Sequence, residues 1–276
     1  MRYFSVLLVM FFIIFSFCGK PKQKVEKKPS VLDSVLMLSK KQPKHMLIEF
    51  YTKTCPWCKK LENYTFKDSS VKEFLKDYYL IRVDAQEDTA LTNKFGIVGY
   101  PTVVLCKPDG EEIDRFHYED PENFIKKVND YLNGKGTLSD LLNKFKEDST
   151  NLDLIYEIAD KYTYRNKPEE AKKYFSLLFG LVKEDTSGYK ERALYGIANA
   201  LRRSKQYDSA FVYFEKVYKE FKKSELAPDA LYYLGYCKLK LGDKEGARKY
   251  WEEYLKVYPN SSDTSYVRKK LESLNK

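Results

Sequence analysis

Apolar and polar positions follow three regimes along this chain, and each predicts a different kind of structure. Tyr3 to Phe17 is an almost unbroken apolar run behind Met1 and Arg2. A basic start before an apolar stretch too short to span a bilayer comfortably predicts a secretory leader over residues 1–17. From Val31 to about Gly136, apolar runs of strand length alternate with helical spacings, the sign of a sheet covered by helices. Val31, Val35, Leu36 and Leu38 predict a short amphipathic helix closed by Pro43, and Met46 to Tyr51 reads as a buried strand. A helix starts within Cys55–Lys60 and continues through Leu61, Tyr64 and Phe66. Asp68 and Ser69 break it, and Val71 to Tyr79 forms another helix before a strand over Tyr79 to Asp84. Val98 to Thr102 is a turn entering a strand that runs to Leu105, and Pro108-Asp109-Gly110 is a tight turn into Ile113 to Phe116. Asn123 to Leu132 is the last helix of this region.

Beyond Gly136 the pattern is wholly helical and it repeats. Ile155, Ile158, Ala159, Ala171 and Phe175 recur 39 residues later as Leu194, Ile197, Ala198, Ala210 and Phe214. These recur again, after 37, as Leu231, Leu234, Gly235, Ala247 and Trp251. The spacing, with small residues at the helix crossings and a large aromatic four after the second alanine, resembles the tetratricopeptide repeat and ends in Pro259. That implies helix pairs at about 151–181, 190–221 and 227–258, with a capping helix at 265–274. Each pair buries its face against its neighbours. Leu138, Leu141, Leu142 and Phe145 form a linking helix that fits either region. Tyr195, Tyr232, Tyr233 and Tyr236 fall on the first helices of their pairs, whose outer positions line a concave groove in that family. With Arg202 and Arg203 they read either as anchors for a bound protein or peptide or as half-buried rings on a solvated helix.

Charge first suggests a nucleic-acid binder, with 49 basic against 40 acidic residues, until the surplus is located. Removing Arg2 and the 18–30 segment, with its five lysines and Glu26, leaves 43 basic and 39 acidic residues from Val31 onward. Such a balance gives no reason to expect nucleic acid. Residues 18–30 instead read as a charged, proline-stiffened tether. Cys18, directly after the apolar run, resembles the lipidation site of bacterial lipoproteins, although Phe17 is bulkier than the small residue preferred there. Lipidation, plain cleavage and an uncleaved anchor all fit, as does a cysteine that is merely a small hydrophobe.

The candidate chemistry lies in Cys55-Pro56-Trp57-Cys58. Two cysteines three apart at the first turn of a helix that follows a strand bring their sulfurs within disulfide reach. The exposed N–H groups and dipole of a helix N-terminus favour a thiolate, which makes one of them reactive. Pro56 suits an early helical position because it lacks an N–H. A zinc site needs two more ligands, and Cys106, Cys237, His45 and His117 are isolated from one another, so no metal is expected. Cys106, within the strand after Pro101, reads as buried and inert.

These residues resemble the thioredoxin family, most closely the periplasmic thiol:disulfide interchange proteins, from about Lys44 to Leu132. The likeness rests on Leu47 to Tyr51 preceding the Cys55–Cys58 pair, on Leu61 to Phe66 with Val71 after it, and on Gly96 to Thr102. It implies that Cys55 attacks a substrate disulfide and that Cys58 resolves the mixed disulfide. It also implies a cis peptide at Tyr100-Pro101 facing the pair, offering backbone hydrogen bonds to a bound substrate chain, with Trp57, Tyr100 and Pro101 contacting substrate; the alternative is a simple turn proline. Glu49 matches the family's buried carboxylate, usually Asp, that relays a proton to the second cysteine; alternatively it is an exposed strand residue, and its apolar neighbours leave the face open. Thr54 departs from the usual aromatic, and Pro56-Trp57 departs from the most frequent dipeptide, which tunes redox potential.

The expected fold is therefore an α/β thioredoxin-like domain over 31–136, followed by an all-α repeat domain over 137–276. The expected function is an exported thiol-disulfide oxidoreductase of the periplasm or cell envelope. It would need no cofactor and would act on protein thiols and disulfides. A redox partner protein, a protein or peptide in the repeat groove, and a membrane reached through a lipid anchor are the expected partners. The alternative is an envelope assembly scaffold with a non-essential redox pair.

Overall fold

The computed structural model describes residues 31–183 and 188–274. The expected leader, tether and Cys18 lie outside the described residues. The chain enters through α1 (Val31–Ser39), whose inward stripe is Leu32, Val35 and Leu36 rather than the expected Val31 and Leu38, which are 59% and 55% exposed. The helical steps from 32 to 35 and 36 put those three side chains on one face, and Val31 and Leu38 fall off it.

Four strands follow, β1 (His45–Tyr51), β2 (Tyr78–Asp84), β3 (Thr102–Cys106) and β4 (Glu112–Phe116), in the sheet order β2-β1-β3-β4. β1 and β2 are parallel, and β3 is antiparallel to both β1 and β4. The helical crossover from β1 to β2 begins with α2 (Pro56–Lys60), widens into a π-helical turn (Leu61–Thr65) and continues as α3 (Ser69–Phe74). Asp68, expected only to break the helix, caps α3 by accepting from the N–H groups of Ser70 and Val71. The pattern reading missed α4 (Thr89–Lys94), which has too few turns for an apolar period but is capped by Asp88. α5 (Pro121–Leu132) starts two residues earlier than expected because Asp120 caps it ahead of Pro121.

Strand alternation divides this core in two. Met46, Ile48 and Phe50 pack with Leu32, Ile81, Val83 and Val104 on one face of the sheet. Leu47 packs on the other with Leu61, Val71, Val103, Leu105 and Phe124.

The elements that follow among the described residues are all helices. α6 (Leu138–Glu147) precedes three antiparallel pairs: α7 (Leu152–Tyr164) with α8 (Pro168–Leu181), α9 (Tyr189–Arg203) with α10 (Tyr207–Glu220), and α11 (Ala227–Lys240) with α12 (Lys244–Val257); α13 (Thr264–Ser273) closes the stack. One continuous apolar cluster joins Leu141 of α6 to Leu274, so the linking helix belongs with the repeats. Phe214 and Trp251 are fully buried in it and Phe175 nearly so. At two crossings the small residue is glycine. A Cβ on Gly235 would meet the Trp251 Cδ1 at 2.6 Å, and one on Gly196 would meet the Phe175 ring at 2.5 Å. The sequence comparison picked out Gly235 but not Gly196, because the next repeat carries Tyr233 at the matching position.

Buried polar groups join the two regions. Asp114 of β4 is fully buried and accepts from the backbone N–H groups of Arg115 and Leu138, each at 2.6 Å. From α7 and its C-terminal end it also receives Lys161 Nζ at 3.2 Å and Arg165 Nη2 at 2.5 Å. Arg115 Nη1 reaches back to Tyr164 O at 3.3 Å.

Candidate active site

The register of the sheet gathers the site at one end. Phe50 of β1 faces Thr102 of β3, and Val103 faces Phe116 of β4. The chain leaving β1 toward Cys55, the loop entering β3 and the residue leaving β4 therefore emerge side by side.

Cys55 is the N-cap of α2, in extended conformation, and its Sγ accepts from the Cys58 N–H at 3.1 Å. Pro56 occupies the first helical position, as its missing N–H allows. The two cysteines are joined by a disulfide with their Cα atoms 5.3 Å apart. They differ in access: Cys55 is half-buried, whereas Cys58 is 2% exposed. Trp57 projects outward at 55% exposed, its ring 5.1 Å from that of Tyr118. Lys60 lies 4.9 Å from the first ring and 4.7 Å from the second.

The Tyr100-Pro101 peptide is cis. Pro101 is buried and Tyr100 is 37% exposed. Thr102 Oγ1 donates to Gly99 O at 2.8 Å, and His117 Nδ1 lies 2.7 Å from Pro101 O. A carbonyl only accepts, so that ring nitrogen carries the proton. Burial pushes the His117 pKa down and keeps the ring neutral.

Glu49 is fully buried. It has the parity of Leu47, so it points to the face where Leu61, the residue after α2, packs. Its Oε2 accepts from Arg82 Nε at 2.5 Å, while Oε1 has no hydrogen-bond partner. Arg82 also donates to Glu62 Oε1 at 3.0 Å and lies over the Tyr51 ring. Burial raises the Glu49 pKa above its ordinary value despite the pull of Arg82. Sequence reasoning missed Arg82, although a guanidinium inside the apolar run of β2 was a signal that a carboxylate lay nearby. It also considered His117 only as a metal ligand. Cys106 is fully buried, and burial raises its thiol pKa to about 12, which leaves it inert.

The repeat domain contributes a cavity of about 550 Å³ lined by Tyr156, Tyr164, Tyr195, Asn199 and Arg203 among others. Of the expected groove residues, Tyr195 and Arg203 reach it. Tyr233 instead stacks on Phe214 under Arg202, and Tyr232 stacks on Trp251. Tyr236 is half-buried with its ring edge toward Tyr207. Arg203 Nε is buried without a partner.

Comparison with known proteins agrees with this architecture. The family profile of the thioredoxin-like domain matches residues 32–132. Residues 32–132 are a thioredoxin-like domain. The tetratricopeptide repeat matches at 192–224 and 229–261, so the thioredoxin-like domain is followed by such repeats. The chain is 30% identical over 97 residues to the thiol:disulfide interchange protein DsbD of Haemophilus ducreyi, covering 34% of this chain and 17% of that protein. It is 34% identical over 77 residues to DsbD of Pectobacterium atrosepticum, covering 26% and 13%. This chain thus spans less than a fifth of either relative. Among solved structures, a DsbH oxidoreductase aligns at 20% identity and a TM-score of 0.35, over 42% of this chain and 94% of that one. Among the described residues, no helix is long and apolar enough to cross a membrane.

Proposed function

We propose that this protein is a thiol-disulfide oxidoreductase acting on protein disulfides through Cys55 and Cys58. The observation that carries the reading is the pair itself: a disulfide at the start of α2, with the more accessible sulfur already accepting a backbone N–H. In the reduced protein that N–H and the helix N-terminus would stabilise a Cys55 thiolate. The thiolate attacks one sulfur of a substrate disulfide, forming a mixed disulfide and releasing the other substrate sulfur as a thiolate. Cys58 then loses its proton to Glu49 and attacks the Cys55 sulfur. The Cys55–Cys58 disulfide forms, the second substrate sulfur leaves as a thiolate, and two electrons have passed to the substrate. Run backwards, the same steps oxidise a substrate dithiol. A redox partner protein of the dithiol or disulfide class resets the pair.

Trp57, Tyr100 and Pro101 are the proposed substrate contacts, since two of them are exposed beside the pair and the third presents the loop backbone. The repeats would hold a protein partner, with the cavity around Tyr195 and Arg203 as the proposed seat. The apolar start and lysine-rich segment support export to the cell envelope, with Cys18 as the lipid attachment point. Loss of labelled fatty acid in Cys18→Ala would test that attachment.

Insulin reduction in the presence of a dithiol reductant tests the activity. Catalysis by the wild type that disappears in Cys55→Ser supports the reading; equal rates in the two would reject it in favour of a scaffold with an idle cysteine pair.

A further inference from the structure

We propose that His117 is a positioning residue through which the repeat domain fixes the Pro101 loop for the polypeptide substrate. This rests on the oxidoreductase reading and adds to it a residue that acts through the loop backbone rather than on sulfur.

His117 follows β4 directly and makes two contacts in opposite directions. Its Nδ1–H donates to Pro101 O at 2.7 Å, while its ring meets the ring of Tyr164, the last residue of α7, with centroids 4.0 Å apart. One side chain thus touches the loop beside the redox pair and the helical domain at once. If the ring only filled space, an apolar side chain would serve better. The Nε2 of the neutral ring is buried with no hydrogen-bond partner, an uncompensated desolvation that leucine or phenylalanine would avoid. What imidazole supplies, and they do not, is the donor to Pro101 O.

The start of the same loop is held from the same side. Arg115 Nη1 donates to Phe95 O at 2.8 Å as well as to Tyr164 O. Gly96 has φ +59, and a Cβ there would lie 3.1 Å from Arg165 O, so the end of α7 packs on bare backbone. The segment from Phe95 to Pro101 is therefore tied at both ends to residues that themselves lean on Tyr164 and Arg165. Tyr164 also lines the repeat-domain cavity, so a chain seated there touches the ring that supports His117. Backbone groups at a substrate-binding loop contribute only when held in register with the reacting sulfur, and loss of one donor from such a support weakens binding more than chemistry.

The test uses the full chain with His117→Leu and His117→Asn, the second keeping a side-chain N–H donor. With insulin as substrate, His117→Leu is expected to raise KM about fivefold to tenfold, the range of one lost hydrogen bond, with kcat and the equilibrium of the pair with glutathione within about twofold of wild type. His117→Asn should restore KM to within about twofold, and Tyr164→Leu should resemble His117→Leu. Amide exchange at Gly99, Tyr100 and Thr102, which needs no turnover, should accelerate in His117→Leu and return toward wild type in His117→Asn. An unchanged KM together with unchanged exchange in His117→Leu overturns the proposal, as does a His117→Asn variant as impaired as His117→Leu. A wild type without insulin activity would reject the oxidoreductase reading, and amide exchange would still decide whether His117 holds the loop.

Discussion

Glu49 and Arg82 face each other in the parallel register of β1 and β2, with Arg82 Nε 2.5 Å from Glu49 Oε2 and the other carboxylate oxygen unpaired in the core. One oxygen is held and the other is free to take a proton, as the proposed relay to Cys58 would need. Glu49→Gln should lower insulin turnover at neutral pH by about tenfold to a hundredfold, toward the low end of general-base effects. The Glu49 pKa is raised above 4.5 by burial, so the carboxylate base is lost as pH falls through that raised value. The wild-type rate should therefore decline on the acid side, and Glu49→Gln should flatten that limb. Rates measured from pH 5 to 8 check both.

Asp160 in α7 has its pKa raised from 3.8 to about 6, chiefly by burial. A raised carboxyl pKa means the folded state binds the proton more tightly, so stability present below pH 3.8 is lost as pH rises through 6. Asp160→Asn removes that ionisation. It should stabilise the repeat domain by about 1–3 kcal/mol at pH 8 and by much less at pH 4, as read by urea unfolding at the two pH values.

Gly235→Ala places a methyl group 2.6 Å from the Trp251 Cδ1, in a site where the ring is fully buried and its Nε1 donates to Tyr232 O. Such overpacking costs about 1–3 kcal/mol, which should lower the melting temperature of the repeat domain while insulin reduction at 25 °C stays within about twofold.

We propose a domain boundary at Thr137. The apolar clusters on either side of it share no residue, and the contact between them runs through Asp114 with Leu138, Lys161 and Arg165 and through His117 and Arg115 with Tyr164. A fragment of residues 31–136 should fold and reduce insulin. Asp114→Asn should destabilise the full chain by about 2–4 kcal/mol, because two partly buried cations lose the buried carboxylate they share, and should change the fragment little. Chemical denaturation of the four proteins decides the point; an insoluble fragment would mean a core shared across Thr137.

The repeat helices were legible in the sequence nearly to the residue, as at Leu152–Tyr164 and Pro168–Leu181, because tandem copies present the same apolar period three times and any false period would have to recur. Singular features were harder to read. The face of Glu49 could not be decided between Ile48 and Phe50, since a strand buried on both sides shows no alternation. Gly196 does not recur, so no comparison between repeats marks it. The links from Asp114 to Lys161 and Arg165 join positions 47 and 51 residues apart, which no local pattern predicts. His117 is a lone histidine in sequence, and only the register of β3 and β4 brings it to Pro101.

The account stands on Cys55 attacking and Cys58 resolving. The most direct measurement is to mix reduced Cys58→Ala with a protein disulfide, quench with acid and map the adduct by mass spectrometry. The account predicts a thiol-sensitive mixed disulfide on Cys55, present in Cys58→Ala and absent in Cys55→Ala. No adduct at all, or one carried by Cys58 in the Cys55→Ala protein, would contradict it.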